Sequence, residues 1–413
     1  MIVPSIDLQG GKTVQLIEGR ELAIDAGDPA PIAQNFALVG EIAVIDLDAA
    51  LRTGSNEQLI KPLLKCHDCR VGGGIRDHGT AIKWLDAGAS KIIIGTAATP
   101  EFLAELPKER LIAAVDARDG EVVVEGWTKG TGHKLLDQIK ELAQFVSGFL
   151  VTFVEREGRM GGTDMELAKA VIDAAGHAKV TIAGGVKTPE EIAELDALGA
   201  DAQVGMALYS GKLGLAEAFL APAKSDRADG LLPTVVVDEH GTALGLVYSN
   251  QASVEAALNE QRGIYHSRTR GLWRKGETSG AHQELLSMAL DCDRDALRFV
   301  VRQHGAGFCH LETQTCWGED WGLGRLMRRL EERAKSAPAG SYTAKLFADP
   351  ELLASKIVEE ANELNEAAAK DDVIHEAADV IFFTLTRLAK EQIGLAELAQ
   401  HLDARARKVT RRN

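Results

Sequence analysis

Carboxylates and thiols recur in this chain at spacings that chemistry uses. Asp7 and Asp116 each begin an Asp-x-x-x-Gly turn, ending at Gly11 and Gly120, at the close of an apolar run. If those runs face each other across one site, the pair can serve as general base and general acid. Solvated turn aspartates are the alternative. Asp291, Asp293 and Asp295 alternate along the chain. On an extended strand such positions share a face, and three hard oxygens there suit Mg²⁺. Cys292, Cys309 and Cys316, three of the five cysteines, supply a thiolate set that suits Zn²⁺ and leaves a fourth position for water. Glu360-x-x-Glu363 and Glu376-x-x-Asp379 each put two carboxylates on one helix face. Two such helices packed antiparallel would converge four carboxylates on Mg²⁺, although solvated faces carry such pairs too. Cys66-His67-Asp68-Cys69 has metal-like spacing without a second cysteine pair nearby, so packing is expected there.

Glycines mark a second kind of site. Gly73-Gly74 recurs as Gly184-Gly185, and Gly95-Thr96 is matched by Gly205-Met206. Glycines just after a strand let backbone N–H groups approach a phosphate, and the following helix start favours the anion. Two matched sets predict two phosphate sites, although a single Gly-Gly is usually just a tight turn. The repeat offsets, 109 for the aspartate turns, 111 for the glycine pairs and 110 for the second glycines, agree within two residues. They point to two fused half-domains with opposed sites.

The elements that must hold these groups follow from hydrophobic patterning. Eight short apolar runs (2–6, 42–45, 70–71, 92–94, 111–115, 149–153, 180–183 and 202–204) alternate with amphipathic stretches such as Asp77–Ala87, Lys134–Phe145 and Pro189–Leu198. That pattern predicts a closed (β/α)8 barrel over residues 1–222, with an open doubly wound sheet as the alternative. Asp7 and Asp116 would then end strands one and five, on the face that carries chemistry in such barrels. Residues 221–230 read as a linker. Thr234–Val237 and Ala243–Tyr248 flank a hairpin signal, opening a β-rich α+β metal-binding domain over 228–318. From Gly322 the period is helical, with helices expected at Leu323–Ala334, Pro350–Ala369, Asp372–Glu391 and Leu395–Lys408, giving an all-α helical bundle over 320–413.

Composition bounds the function. The chain has 413 residues, 45% of them apolar and 26% charged, which excludes a disordered or collagen-like chain and allows two or three domains. No apolar run approaches the roughly 18 residues that span a bilayer. The opening Met1–Gly11 lacks a basic leader, so no signal peptide is expected and the cytoplasm is the expected location. A net charge of −15 argues against broad nucleic-acid binding.

Three resemblances follow from these motifs. Pro4-Ser5-Ile6-Asp7-Leu8, Val71 to Arg76, Val115-Asp116, Gly126-Trp127 and Ala183 to Val186 resemble phosphoribosylformimino-aminoimidazole carboxamide ribotide isomerase over residues 1–220. The resemblance implies an Amadori rearrangement of an aminoaldose carrying two phosphoribosyl ends. Asp7 would be the base, and Trp127 would pack on the substrate. Bacterial members place Asp-Gly-Thr after strand six as the acid. Here Glu157-Gly158 stands there, as in the fungal form, and Gln15 stands where an arginine is common.

Tyr265 to Arg270, Leu272 to Gly280, Asp291 to Asp295, Cys309-His310 and Cys316 closely resemble phosphoribosyl-AMP cyclohydrolase. The resemblance implies zinc on the three cysteines and magnesium on the aspartates. It also implies a proton shuttle at His310, phosphate contacts from Arg268, Arg270 and Lys275, and a homodimer through this domain. Ser341 to Phe347, Lys356 to Glu363 and Glu376 to Asp379 resemble phosphoribosyl-ATP pyrophosphohydrolase, which implies Mg²⁺ on the paired carboxylates. A basic tail, Arg405 to Arg412, would meet phosphates or be solvated. Together the three imply consecutive steps of histidine synthesis on small phosphoribosyl nucleotides. A barrel acting as a noncatalytic scaffold is the alternative for residues 1–220.

Overall fold

The computed structural model describes residues 1–17, 19–124, 127, 129–159 and 161–410. Each of the eight apolar runs forms a parallel strand: Ile2–Gln9, Ile42–Asp46, Cys69–Gly72, Lys91–Ile94, Leu111–Arg118, Gly148–Phe153, Lys179–Ala183 and Asp201–Val204. The first pairs with both the second and the eighth, and the sixth pairs with both the fifth and the seventh. The cylinder is therefore closed, as expected for a (β/α)8 barrel.

The repeat is visible in local chemistry. Asp77 caps helix His78–Ala87 and Thr188 caps helix Pro189–Ala197, each by accepting an early backbone N–H. These caps follow the two glycine pairs and fix where each helix starts. Two features lay outside the expected pattern. Strand one runs into an antiparallel pair, Lys12–Ile17 and Glu21–Gly27, and strand five into another, Glu121–Val124 and Lys129–Lys134. These paired excursions rise from equivalent strands of the two halves.

Inside the barrel, Ile93, Ile112, Leu150 and Ala183 pack as a buried layer against Ile45 and Ala114. Nearer the opposite end, Arg70 of strand three reaches across to Thr181 Oγ1 of strand seven at 2.9 Å and bonds Glu41 through Nε at 2.9 Å. Arg70 is only 6% exposed. Breaking a buried pair strands the remaining charge, so Arg70→Leu is expected to cost about 3 kcal/mol, read as a lower urea midpoint. An unchanged midpoint would show that the crossing bond contributes nothing.

The chain divides into two compact units. One holds Met1–Val236, Leu246–Gly305 and, of the described tail, Arg407–Thr410; the other holds Val237–Gly245 and Ala306–Ala406. Besides the barrel, the first unit contains most of a four-stranded sheet ordered Ala243–Ser249, Leu232–Asp238, Leu297–Gln303, Gln283–Leu290. The expected hairpin is present, its turn held by Asp238, which accepts the backbone N–H groups of His240 and Thr242. Tyr265 is fully buried beneath this sheet, packs on Phe299 and donates to Gln283 Oε1 at 2.6 Å.

One expectation is corrected here. Asp291–Asp295 is not an extended strand. The strand ends at Leu290, and the acidic run is a tight loop with Arg294 at a left-handed φ of 71°. Arg294 turns back to donate to the Asp291 carbonyl at 2.7 Å and forks onto Asp196 of a barrel helix at 3.1 and 3.0 Å. Burial pushes the Asp196 carboxyl up, but the Arg294 guanidinium and the Met1 ammonium together hold it down to about 2.

The second unit is helical: Gly322–Ser336, Tyr342–Ala348, Pro350–Glu366, Lys370–Lys390 and Leu395–Ala406. Helix Tyr342–Ala348, capped by Ser341, is additional to the four expected. Met327, Leu330, Leu385 and Ala389 form one core, and Leu346, Leu353 and Phe383 another. Among the described residues no helix is long and apolar enough to cross a membrane.

Candidate functional site

The barrel mouth gathers three carboxylates. Asp7 lies on strand one and Asp116 on strand five, while Glu157 follows a short 3₁₀ turn after strand six. Burial pushes the Glu157 carboxyl up to about 7, and the charges of Asp7 and Asp116 add to that. Burial likewise pushes Asp7 up to about 7, opposed by the Gln15 amide, whose Nε2 is 3.5 Å from Asp7 Oδ2. Asp116 is also raised by burial, and its carboxylate accepts hydrogen bonds from Trp127 and Thr152. Groups held near neutrality can take and give protons at the working pH. Expected only as a substrate platform, Trp127 thus has a partner in Asp116; its neighbour Gly126 lies outside the described residues.

A cleft of ≈ 410 Å³, counted with its open mouth, joins Asp7 and Glu157 to Gly184, Gly185 and Gly205. The glycine pairs occupy positive-φ turns, at 97° and 73° for Gly73 and Gly74 and at 95° and 83° for Gly184 and Gly185. A Cβ on Gly73 would fall 2.1 Å from the Asp46 carbonyl oxygen, and one on Gly184 would fall 2.6 Å from that of Phe153. These turns require glycine for their backbone alone. Gly205 is also tight, a Cβ there falling 2.6 Å from Gln15 Oε1 and 2.7 Å from Ser5 Oγ, whereas Gly95 faces open space. Gly95 and Thr96 are exposed.

In the loop after Leu290, one oxygen from each of Asp291, Asp293 and Asp295 lies within 4.8 Å of the others. The loop, rather than strand alternation, brings them together. The charge of Asp293 raises the Asp295 carboxyl, while backbone donors help hold Asp291 down despite partial burial. An exposed all-carboxylate set of this kind fits a hard divalent cation. Cys309 and Cys316 belong to the second unit and their thiols interact. Backbone N–H donation from Leu311 pulls the Cys309 thiol down, with Thr313 and Cys316 contributing. Among the described residues, no group of three metal-capable side chains within 4.8 Å of one another includes Cys292, Cys309 or Cys316. Cys292, exposed, is carried by the first unit. His310 is exposed, with Nδ1 3.8 Å from Cys309 Sγ.

The basic side chains of this region take separate positions. Arg268 stacks over Tyr248 at 4.9 Å and Arg270 over Trp273 at 5.0 Å. Lys275 is buried and donates to the Ala281 carbonyl at 3.2 Å.

In the helical unit, the two longest helices form a hairpin. One oxygen from each of Glu360, Glu363 and Glu376 lies within 4.8 Å of the others. Glu360 is only 6% exposed; burial raises its carboxyl, as do the charges of Asp379 and Glu363, against Lys356. Asp379 stands just outside this trio and faces His375 at 3.6 Å. Of the basic tail, Arg407 pairs with Asp68 at 2.7 Å, and Arg411 and Arg412 lie outside the described residues. Cys69 opens strand three fully buried, and burial pushes its thiol well up, as packing requires. Neither Cys66 nor Cys69 joins a metal-capable group among the described residues.

Sequence reasoning passed over Thr152, which donates to Asp116, and Gln203, which lines the cleft. Gln203 carried a readable signal: an amide between the apolar Ala202 and Val204 of strand eight.

Three family models match along the chain: Histidine biosynthesis protein over residues 1–214, Phosphoribosyl-AMP cyclohydrolase over 245–318, and Phosphoribosyl-ATP pyrophosphohydrolase over 323–406. A histidine biosynthesis trifunctional protein of Neurospora crassa is 41% identical over 347 residues, covering 80% of this chain and 36% of that protein. A histidine biosynthesis bifunctional protein of Schizosaccharomyces pombe is 52% identical over 201 residues, covering 49% of this chain and 48% of that protein. An imidazole-4-carboxamide isomerase of Methanosphaerula palustris is 39% identical over 233 residues, covering 53% of this chain and 98% of that protein. The chain thus spans less than half the length of these two fungal relatives.

Proposed function

The chain belongs to the histidine biosynthesis protein family, and from that membership we propose that it catalyses three consecutive steps on phosphoribosyl nucleotides. The helical domain (320–413) removes pyrophosphate from phosphoribosyl-ATP. The β-rich domain (228–318) opens the adenine ring of phosphoribosyl-AMP. The barrel (1–222) isomerises the resulting aminoaldose to the aminoketose. The observation that carries this reading is that Asp7 and Glu157 line one cleft beside glycine turns, with Asp116 close enough for its charge to act on Glu157.

In the barrel, ionised Asp7 takes the proton from the sugar carbon next to the aldimine carbon. Protonated Glu157 is the acid, and Asp116, held by Trp127 and Thr152, is the third carboxyl of the site. Gly73, Gly74, Gly95 and Thr96 receive one phosphate, and Gly184, Gly185 and Gly205 the other. A scaffold would gain nothing from three crowded, desolvated carboxylates, which disfavour the fold.

Glu360, Glu363, Glu376 and Asp379 would hold Mg²⁺ in the helical domain, which supplies charge neutralisation for the triphosphate and activation of water when bound. Asp291, Asp293 and Asp295 would hold a second Mg²⁺. Cys292, Cys309 and Cys316 would hold Zn²⁺, which supplies hydroxide near neutral pH when bound. His310 moves the proton, and Arg268, Arg270 and Lys275 secure the phosphate end. Pairing of two copies through the β-rich domain and a cytoplasmic location complete the reading.

Supplying phosphoribosyl-ATP with Mg²⁺ and Zn²⁺ to the purified protein should carry the pool through to the aminoketose. Accumulation of the aminoaldose would refute the isomerase assignment. Thiol-directed chelation of zinc should stop conversion at phosphoribosyl-AMP, and ring opening that survives it would remove the zinc assignment.

A further inference from the structure

The barrel cleft holds a buried hydrogen-bond acceptor that the acid–base chemistry leaves unused. Gln203 lies on strand eight and lines the cleft with Asp7, Glu157 and Gly185. The buried inner layer of the same barrel is apolar, built from Ile93, Ile112, Leu150 and Ala183. Gln203 Oε1 is buried and accepts no hydrogen bond. Six buried side-chain atoms are unpartnered among the described residues. Three of the others, Glu155 Oε2, Arg156 Nε and Thr163 Oγ1, sit in the segment that carries Glu157. Buried acceptors are normally paired, because leaving one unpaired forfeits its hydration. Of these six atoms, only Gln203 Oε1 belongs to a residue that lines the cleft.

Register says which part of a ligand Gln203 would meet. Gln203 stands opposite Val3 on strand one, two positions below Gly205 and its neighbour Ser5. It therefore lies on the cleft floor, beneath the glycine turn assigned to phosphate. Phosphate oxygens are acceptors and gain nothing from an amide oxygen. A sugar hydroxyl hanging below that phosphate is a donor.

We propose that Gln203 is a specificity-determining residue whose amide oxygen accepts a hydrogen bond from a hydroxyl of the phosphoribosyl substrate in this cleft. The assignment rests on the isomerase reading above. An analogue lacking that hydroxyl would leave the acceptor stranded, which is how a buried polar group discriminates.

Calorimetric titration of the aminoaldose into the full chain carrying Asp7→Asn, which binds without turnover, tests this. Adding Gln203→Met, or Gln203→Leu as a second variant, should weaken binding about tenfold. Neither should lower the unfolding midpoint, since an apolar side chain of similar size strands no acceptor. Unchanged affinity would overturn the proposal. So would lost affinity accompanied by a lowered midpoint in both variants, which is the mark of a packing role. Ketose formation by the unsubstituted protein is read separately. If it is absent while the affinity difference persists, the isomerase reading fails and Gln203 remains a sugar contact.

Discussion

Asp7→Asn should stop the pathway at the aminoaldose and, at the same time, make the barrel more stable at alkaline pH. General acid–base catalysis contributes about 10²–10⁴ in rate, and an amide cannot take the proton, so ketose formation should fall by about 10³. Unchanged conversion would remove Asp7 as the base. The stability gain follows from linkage. Burial raises the Asp7 carboxyl to about 7 in the folded chain, against about 4 when unfolded. Below about 4 both states are protonated and nothing is lost. As pH rises toward 7 the unfolded chain ionises first, so the fold loses stability, fully so above 7. Asparagine carries no such loss. The urea midpoint of the variant should exceed that of the parent at pH 8 and approach it at pH 4; a variant less stable at pH 8 would contradict the account. The same values set the rate profile. Activity should fall as acid protonates Asp7 through about 7, and fall again as base strips the proton from Glu157, also held at about 7.

Glu360→Gln should uncouple the first step from the second. Glu360 is the most buried member of its trio, and burial together with the charges of Asp379 and Glu363 raises its carboxyl. In the proposed site it is the ligand most enclosed by protein. Losing it should slow pyrophosphate release by roughly a hundredfold or more, while ring opening of supplied phosphoribosyl-AMP continues at the parent rate. Without added Mg²⁺ the substitution should stabilise the helical unit above the ordinary glutamate range, because a carboxyl raised in the fold destabilises it once ionised. With Mg²⁺ present, the parent should regain the advantage through ligand linkage. A variant that releases pyrophosphate normally would place the metal elsewhere.

Much of this architecture is legible in the sequence because it rests on periodicity. Apolar runs buried on both faces of a parallel strand leave little choice of element, so all eight barrel strands can be read. The glycine pairs are readable because the turns tolerate nothing else. What escapes reading has a shared cause. The second strand of each excursion, Glu21–Gly27 and Lys129–Lys134, is largely exposed, so its burial pattern is weak. The acidic loop after Leu290 alternates in sequence like a strand, and only the left-handed Arg294, tied to distant Asp196, turns it into a loop. Helix Tyr342–Ala348 is too short for a period to register. In the site, the carboxylates are readable as residue types, but the partners that tune them are not. Gln15 reaches Asp7 across a turn, and Trp127 reaches Asp116 from beyond the following strand. Those are facts of tertiary proximity.

The bond across the barrel between Arg70 and Thr181 bears on how the two halves recognise each other. The two positions are 111 residues apart, the same interval that separates the glycine pairs, so they are counterparts in the repeat. Were the halves identical here, two guanidiniums would confront each other on the axis and repel, or two hydroxyls would leave Glu41 without its cation. One arginine and one threonine avoid both outcomes. Each half has become a poor mate for a copy of itself and a good mate for its sister. The duplication has thereby lost its interchangeability, and the single linked chain, rather than symmetric self-association, is the assembly that this contact rewards.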